Sequence, residues 1–267
     1  MIGLIAEVAG VGDGVVVGIG DDAAVLEGGL VLSTDMLVEG VHFDRGRLDD
    51  HAIGARAAGA NLSDIAAMAA RPLCLVAGFG LPEGFGGAEQ LAAGLASYGV
   101  PVAGGDLSRA PVLTLSVTAI GRAERPLLRS GGRPGDRLVV TGRLGAQAVS
   151  GYTLPVTPRL AEGLELAAIA TAMIDVSDGI AGDVRRLAAA CGCGATVWLD
   201  RLPLADGATV EQAATGGEDF ELLAAVRTGA PLPDWVTEVG VLTEGAAVEL
   251  VDAAGVAREL HGWDHFR

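Results

Sequence analysis

The sequence predicts an α/β (α+β) fold in two domains, residues 1–128 around a mixed sheet and residues 129–267 as a second α/β domain. Three observations predict it. A chain of 267 residues, half of them hydrophobic, can bury more than one ordinary core. Short runs rich in β-branched residues alternate with Ala-rich stretches of helical length. Near the middle lies a polar, glycine- and proline-rich break, Arg129-Ser130-Gly131-Gly132-Arg133-Pro134-Gly135-Asp136, of the kind that runs over a surface.

In the first domain, residues 15–17 and 30–33 read as strands. Residues 51–70 contain many Ala and no Pro, so a helix packed closely through small side chains is expected. Residues 73–80 read as a strand and 86–99 as a second helix. Residues 100–103 and 112–120 follow as strands, the latter alternating through Leu113, Leu115 and Val117. In the second domain, 138–141, 194–199 and 221–226 read as strands and 160–172 and 179–190 as helices, with a β-rich end and no internal repeat.

The charge is strongly acidic, 34 Asp and Glu against 18 basic residues, a formal net of −16. Such a surface repels nucleic acid and anionic lipid, so neither is an expected partner. No run reaches the roughly 18 apolar residues of a membrane span, and residues 1–10 lack a basic leader, so a cytoplasmic protein is expected. All the basic residues are Arg. Without Lys, a Schiff-base enzyme, a P-loop kinase and the Lys–Glu pair of protein kinases are excluded. Phosphate must then be held by metal, Arg or backbone N–H. Cys74, Cys191 and Cys193 form neither a disulfide framework nor a zinc pattern and read as small hydrophobes.

The acids that carry chemistry recur in one setting, just after a strand or on a helix of small residues. Asp21 and Asp22 follow Gly18-Ile19-Gly20, Asp35 follows Ser33-Thr34, and Asp106 follows Gly104-Gly105. Asp175 and Asp178 flank Val176-Ser177, and Glu218 and Asp219 follow Gly216-Gly217. Strand ends are where α/β folds bind ligands, and glycine lets backbone approach them. One Gly-Asp is ordinarily a cap or turn. Five such clusters in a chain without Lys read instead as carboxylates gathered around hard cations such as Mg²⁺. Asn61 and Asp64 stand three apart on one face of the Ala-rich helix, facing either solvent or a ligand. Ser177 is expected to N-cap the helix from Gly179. Phosphate is attracted to such an end, and a metal on Asp178 would relieve its repulsion; Asp178 reads equally as a first-turn acid matched to the helix dipole, with no ligand.

Eight motifs then occur in order: Gly18-Ile19-Gly20-Asp21-Asp22-Ala23-Ala24, Ser33-Thr34-Asp35, Glu39-Gly40-Val41-His42-Phe43 and Asn61-Leu62-Ser63-Asp64-Ile65-Ala66-Ala67-Met68, followed by Gly104-Gly105-Asp106, Arg129-Ser130-Gly131, Ile174-Asp175-Val176-Ser177-Asp178-Gly179 and Gly216-Gly217-Glu218-Asp219-Phe220-Glu221-Leu222. Together they resemble the thiamine-monophosphate kinase family, within the aminoimidazole ribonucleotide synthetase superfamily. The closing Gly262-Trp263-Asp264-His265-Phe266 resembles that family's C-terminus. The resemblance covers nearly the whole chain. It implies a two-domain fold whose N-terminal mixed-sheet domain forms a homodimer, with ATP between the domains. It further implies phosphorylation of thiamine monophosphate to thiamine diphosphate, several Mg²⁺ and stimulation by K⁺.

Carried over by position, the resemblance implies metal ligands at Asp22, Ser33, Thr34, Asp35, Asp64, Asp106, Asp175 and Asp178. It implies ATP contacts at Gly105, Asp106, Arg129 and Ser177, and thiamine contacts at His42, Glu218 and Trp263. Residues 142–158 are shorter than the family pattern, with a helix expected to be trimmed. The implied chemistry is direct in-line transfer with no covalent intermediate and no strong general base. Two rivals remain: another ATP-using member of the superfamily, akin to aminoimidazole ribonucleotide synthetase or a hydrogenase-maturation enzyme, and a non-catalytic divalent-metal-binding protein.

Overall fold

Glycine and alanine set how closely the first unit packs. In the computed structural model, which describes Val8 and residues 12–263, helix α1 (Asp50–Ala67) crosses helix α2 (Ala88–Leu95) nearly backbone to backbone. A Cβ at Gly54 would lie 2.1 Å from the Leu91 carbonyl, and one at Gly94 would lie 2.0 Å from that of His51. The Asp49 carboxylate starts α1 by accepting the Ala52 N–H at 2.7 Å. Apart from Val8, residues 1–10 lie outside the described residues, as do Asp264, His265 and Phe266 of the C-terminal motif.

The chain divides into two units, Met1–Pro126 and Leu127–Arg267. The first carries a six-stranded sheet in the order β1-β2-β3-β6-β4-β5: β1 Val15–Val17, β2 Ala24–Leu26, β3 Leu30–Val38, β4 Arg71–Leu81, β5 Val102–Arg109 and β6 Thr114–Arg122. Among the described strands of this sheet only the β4–β5 pair, joined through α2, is parallel, so the sheet is mixed. Leu115, Val117 and Ala119 of β6 are fully buried on the face that α1 covers. Strands β3 and β5 run further than expected, through Asp35 and Asp106. These acids therefore sit inside strands rather than after them, because the backbone ladder continues whatever the side chains are.

The second unit carries its own six-stranded sheet, β12-β9-β11-β7-β10-β8, made of β7 Arg137–Thr141, β8 Ala170–Val176, β9 Gly194–Trp198, β10 Glu221–Val226, β11 Val236–Thr243 and β12 Val248–Val251. Helix α5 (Ile180–Cys191) lies on it, with Val184 and Leu187 in a core that includes Leu138, Ile174, Val197 and Leu223. Three shorter helices complete the unit: α3 Ala146–Ser150, α4 Leu160–Leu166 and α6 Val210–Thr215. One expectation changes here. The helix expected over 160–172 ends at Leu166, and Ala170 begins β8, because pairing with β10 overrides the weak preference of an Ala/Leu run. The stretch 142–158 retains a helix, of five residues. Among the described residues, no helix is long and apolar enough to cross a membrane.

Candidate functional site

In the first unit, α1 delivers Asn61 and Asp64 from one face onto β3. Asn61 is fully buried. Its amide donates to the Ala57 carbonyl at 2.9 Å, and its Oδ1 accepts the Asp35 backbone N–H at 3.1 Å. The buried Ser33 hydroxyl donates to the Asp64 carboxylate. Asp22, just ahead of β2, brings a carboxylate oxygen within 4.8 Å of one from Asp64. Like charges that close repel, and a hard divalent cation relieves the repulsion. The donors are carboxylate and hydroxyl oxygens, which suits Mg²⁺ rather than a soft metal.

Alternation along β3 splits the expected ligand set. Ser33 and Asp35 share the α1 face, and Thr34 points to the other. There the Thr34 hydroxyl donates to the Val117 carbonyl at 3.1 Å and accepts that of Thr118 at 3.0 Å. Asp106 aligns through Gly78 and Ser116 with Met36, so it too lies on the face away from α1. It is exposed on edge strand β5, three strands from β3, or about 14 Å at the usual spacing. Thus the chain does not bring the Thr34 hydroxyl or the Asp106 carboxylate to the Ser33–Asp64 pair. Gly105 is excluded from carrying a side chain, since a Cβ would sit 1.9 Å from the Ala77 carbonyl.

His42 closes a turn after β3. Its backbone N–H donates to the Val38 carbonyl at 2.9 Å, and its Nδ1 accepts the Val38 N–H at 3.0 Å. The neutral ring therefore carries its proton on Nε2. Glu39 fixes the same turn by accepting the Leu113 N–H at 3.1 Å.

In the second unit, Asp175 is buried near the end of β8, and Ser177 and Asp178 occupy the loop leading into α5. Ser177 does not cap that helix. Gly179 stands at the cap with φ +91° and makes no side-chain bond. Asp183, from the first helical turn, instead reaches back to accept the Asp178 N–H at 3.1 Å. Arg186 bridges the two acids, 2.5 Å from each. Burial pushes Asp183 up to about 7, against the pull of Arg186 in the opposite direction.

Two further segments dock on this loop through backbone. The Glu218 N–H donates to the Ser177 carbonyl at 2.7 Å, and the Trp263 N–H to the Asp178 carbonyl at 2.8 Å. Ser177, Asp178, Glu218 and Trp263 are thereby brought together, with Trp263 58% exposed. Arg129 precedes β7 and accepts the Cys191 thiol on its carbonyl at 3.2 Å. Burial pushes the Cys191 and Cys193 thiols up, so they behave as packing groups.

Sequence reading missed the roles of Asp183 and Arg186. The one available signal was an acid in the first turn of a helix whose N-cap is glycine. Glu218 and Phe220 adopt φ of +66° and +51°, which no residue type announces.

Residues 20–123 match the family described as AIR synthase related protein, N-terminal domain. A thiamine-monophosphate kinase of Halobacterium salinarum is 39% identical over 92% of this chain and 94% of its own length. The solved structure described as AaThiL complexed with AMPPCP and TMP superposes with a TM-score of 0.89 at 30% identity, covering 99% of this chain and 96% of that one. The hydrogenase maturation protein HypE shares the fold alone, with a TM-score of 0.71 at 20% identity over 92% and 93% of the two chains.

Proposed function

The chain belongs to the thiamine-monophosphate kinase family, and on that premise we propose that it phosphorylates thiamine monophosphate to thiamine diphosphate, using ATP. The observation that carries this reading is the set of hard oxygens from Asp22, Ser33 and Asp64 in a chain without Lys. Those residues and Asp35 would hold Mg²⁺, and Asp175 and Asp178 are proposed as further Mg²⁺ ligands. Bound Mg²⁺ would offset the repulsion between two polyanions and the charge developing on the transferred phosphoryl group.

The remaining steps belong to the chain's own residues. Asn61 holds the β3 backbone at Asp35, and Ser33 orients the Asp64 carboxylate, so the oxygens are set before substrate arrives. Arg129 would grip phosphate with a planar, permanently charged fork, and Gly105, Asp106 and Ser177 would contact ATP. The attacking phosphate oxygen of thiamine monophosphate is already an anion, so no side chain is needed as a base. Trp263 would stack on the thiamine rings and attract the thiazolium by about 0.5–2 kcal/mol, with His42 and Glu218 as polar contacts. Stimulation by K⁺ is part of the same proposal.

Purified protein with ATP, Mg²⁺ and thiamine monophosphate should yield thiamine diphosphate by chromatography. ATP turnover without that product would overturn the reading. A homodimer through the first unit is also proposed, supported by Met36 and Val76 exposed on the sheet face that α1 leaves uncovered. Light scattering at micromolar concentration should give twice the chain mass, and a monomer mass contradicts it.

A further inference from the structure

The turn that carries Glu218 is built against the preferences of its own residues. Glu218 and Phe220 both lie in the left-handed region, at φ +66° and +51°. L-residues persist there only when their surroundings hold them. Two of the restraints are backbone bonds to the end of β8 and the residue after it: Phe220 N–H to the Val176 carbonyl at 2.9 Å, and Glu218 N–H to the Ser177 carbonyl at 2.7 Å. The preceding glycines are there because nothing larger fits. A Cβ on Gly216 would meet the Gln212 carbonyl at 2.5 Å, and one on Gly217 the Ser177 carbonyl at 2.6 Å.

The third restraint is a side chain. Asp219, between the two strained residues, accepts the Gly145 N–H at 2.6 Å and the Gln147 N–H at 3.2 Å. It thereby ties the turn to the start of α3. Neither of these backbone bonds fixes the torsion of Asp219 itself, so without this tie the chain could pivot between them.

We infer that Asp219 is a positioning residue for substrate, acting through Glu218. The inference rests on the proposed reading of Glu218 as a thiamine contact. Asp219 need not touch the substrate. Its carboxylate holds the peptide from which Glu218 projects.

A double-mutant cycle tests this, read as KM and kcat for thiamine monophosphate with KM for ATP as the control. Glu218→Gln should raise KM for thiamine monophosphate several-fold, and Asp219→Ala should do the same with kcat little changed. Combined, the two should raise it no more than Glu218→Gln alone, because Asp219 then has nothing left to position. Asp219→Asn keeps an acceptor oxygen and should show a smaller shift. Should Asp219→Ala fail to fold, the same cycle is run with Asp219→Asn, whose shift should again vanish on the Glu218→Gln background. Multiplying effects in the double variant overturn the inference, as does a wild-type KM in folded Asp219→Ala. A wild-type KM in Glu218→Gln overturns the substrate reading of Glu218 itself, which separates the two failures.

Discussion

The two units hold their polar residues by opposite means. In the first, Asn61 and Asp64 ride an 18-residue helix, and Ser33 and Asp35 a nine-residue strand, so ordinary secondary structure fixes each oxygen. In the second, Ser177, Asp178, Glu218 and Trp263 lie outside helix and strand, held by isolated backbone bonds and by the side chains of Asp183, Arg186 and Asp219, against left-handed torsions that cost about 1–2 kcal/mol each. The difference suits two tasks. A cation demands oxygens fixed to a few tenths of an ångström, which helix and strand supply. An organic substrate with rings and a charge tolerates, and can exploit, a surface that yields a little. On this view, damage to the first unit should appear in turnover and damage to the second in substrate affinity.

The largest expected effect tests the rigid side. Asp64→Asn and Asp35→Asn should each lower turnover by at least about a hundredfold, through loss of a charged ligand where two polyanions meet. Circular dichroism and thermal melts should show the fold intact, and retained turnover in either folded variant would remove the metal platform from the comparison. Next comes the yielding side. Trp263→Ala should raise KM for thiamine monophosphate several-fold and leave KM for ATP nearly constant, as expected for an exposed ring outside the core. Parallel movement of both constants would make Trp263 a structural plug.

The smallest effect is a slope. Burial pushes Asp219 from 3.8 up to about 6, so between these values the folded chain keeps a proton that the unfolded chain has released. The stability from this group is complete below about pH 4 and is lost as pH rises through about 6. Asp219→Asn cannot titrate. The melting temperature of the wild type should therefore fall relative to the variant between about pH 4 and 6, then track it above about pH 7. A constant difference throughout would mean that Asp219 stays ionised.

What could be read from sequence follows the same division. The helix over Asp50–Ala67 was legible because small residues without proline leave few alternatives, and its Asn61–Asp64 face followed from spacing alone. Strand β8 was partly mistaken for helix because Ala and Leu serve either state, and distant pairing with β10 decides. The split of Thr34 and Asp106 from Ser33 and Asp35 depends on which face each strand position takes, which the motifs do not state. Ser177 looked like a helix cap, yet Gly179 starts the helix and Asp183 satisfies the open N–H. Left-handed Glu218 and Phe220 were invisible, since tertiary bonds rather than residue type impose that conformation.

The ladder between β3 and β6 runs unbroken through nine pairs, from Leu30 opposite Arg122 to Val38 opposite Thr114. Nothing in its hydrogen bonds would object to a displacement of one residue, which would re-form nearly all of them. Such a displacement would nonetheless present Thr34 and Met36 to Asp64 in place of Ser33 and Asp35. What forbids it is Val31 and Leu37, the buried apolar residues on either side, which would be turned out into water. These two chemically inert side chains therefore act as proofreaders of the chemistry. Weakening them would yield some molecules that are folded, soundly bonded and inactive, a loss that a melting curve would miss and an active-site titration would count.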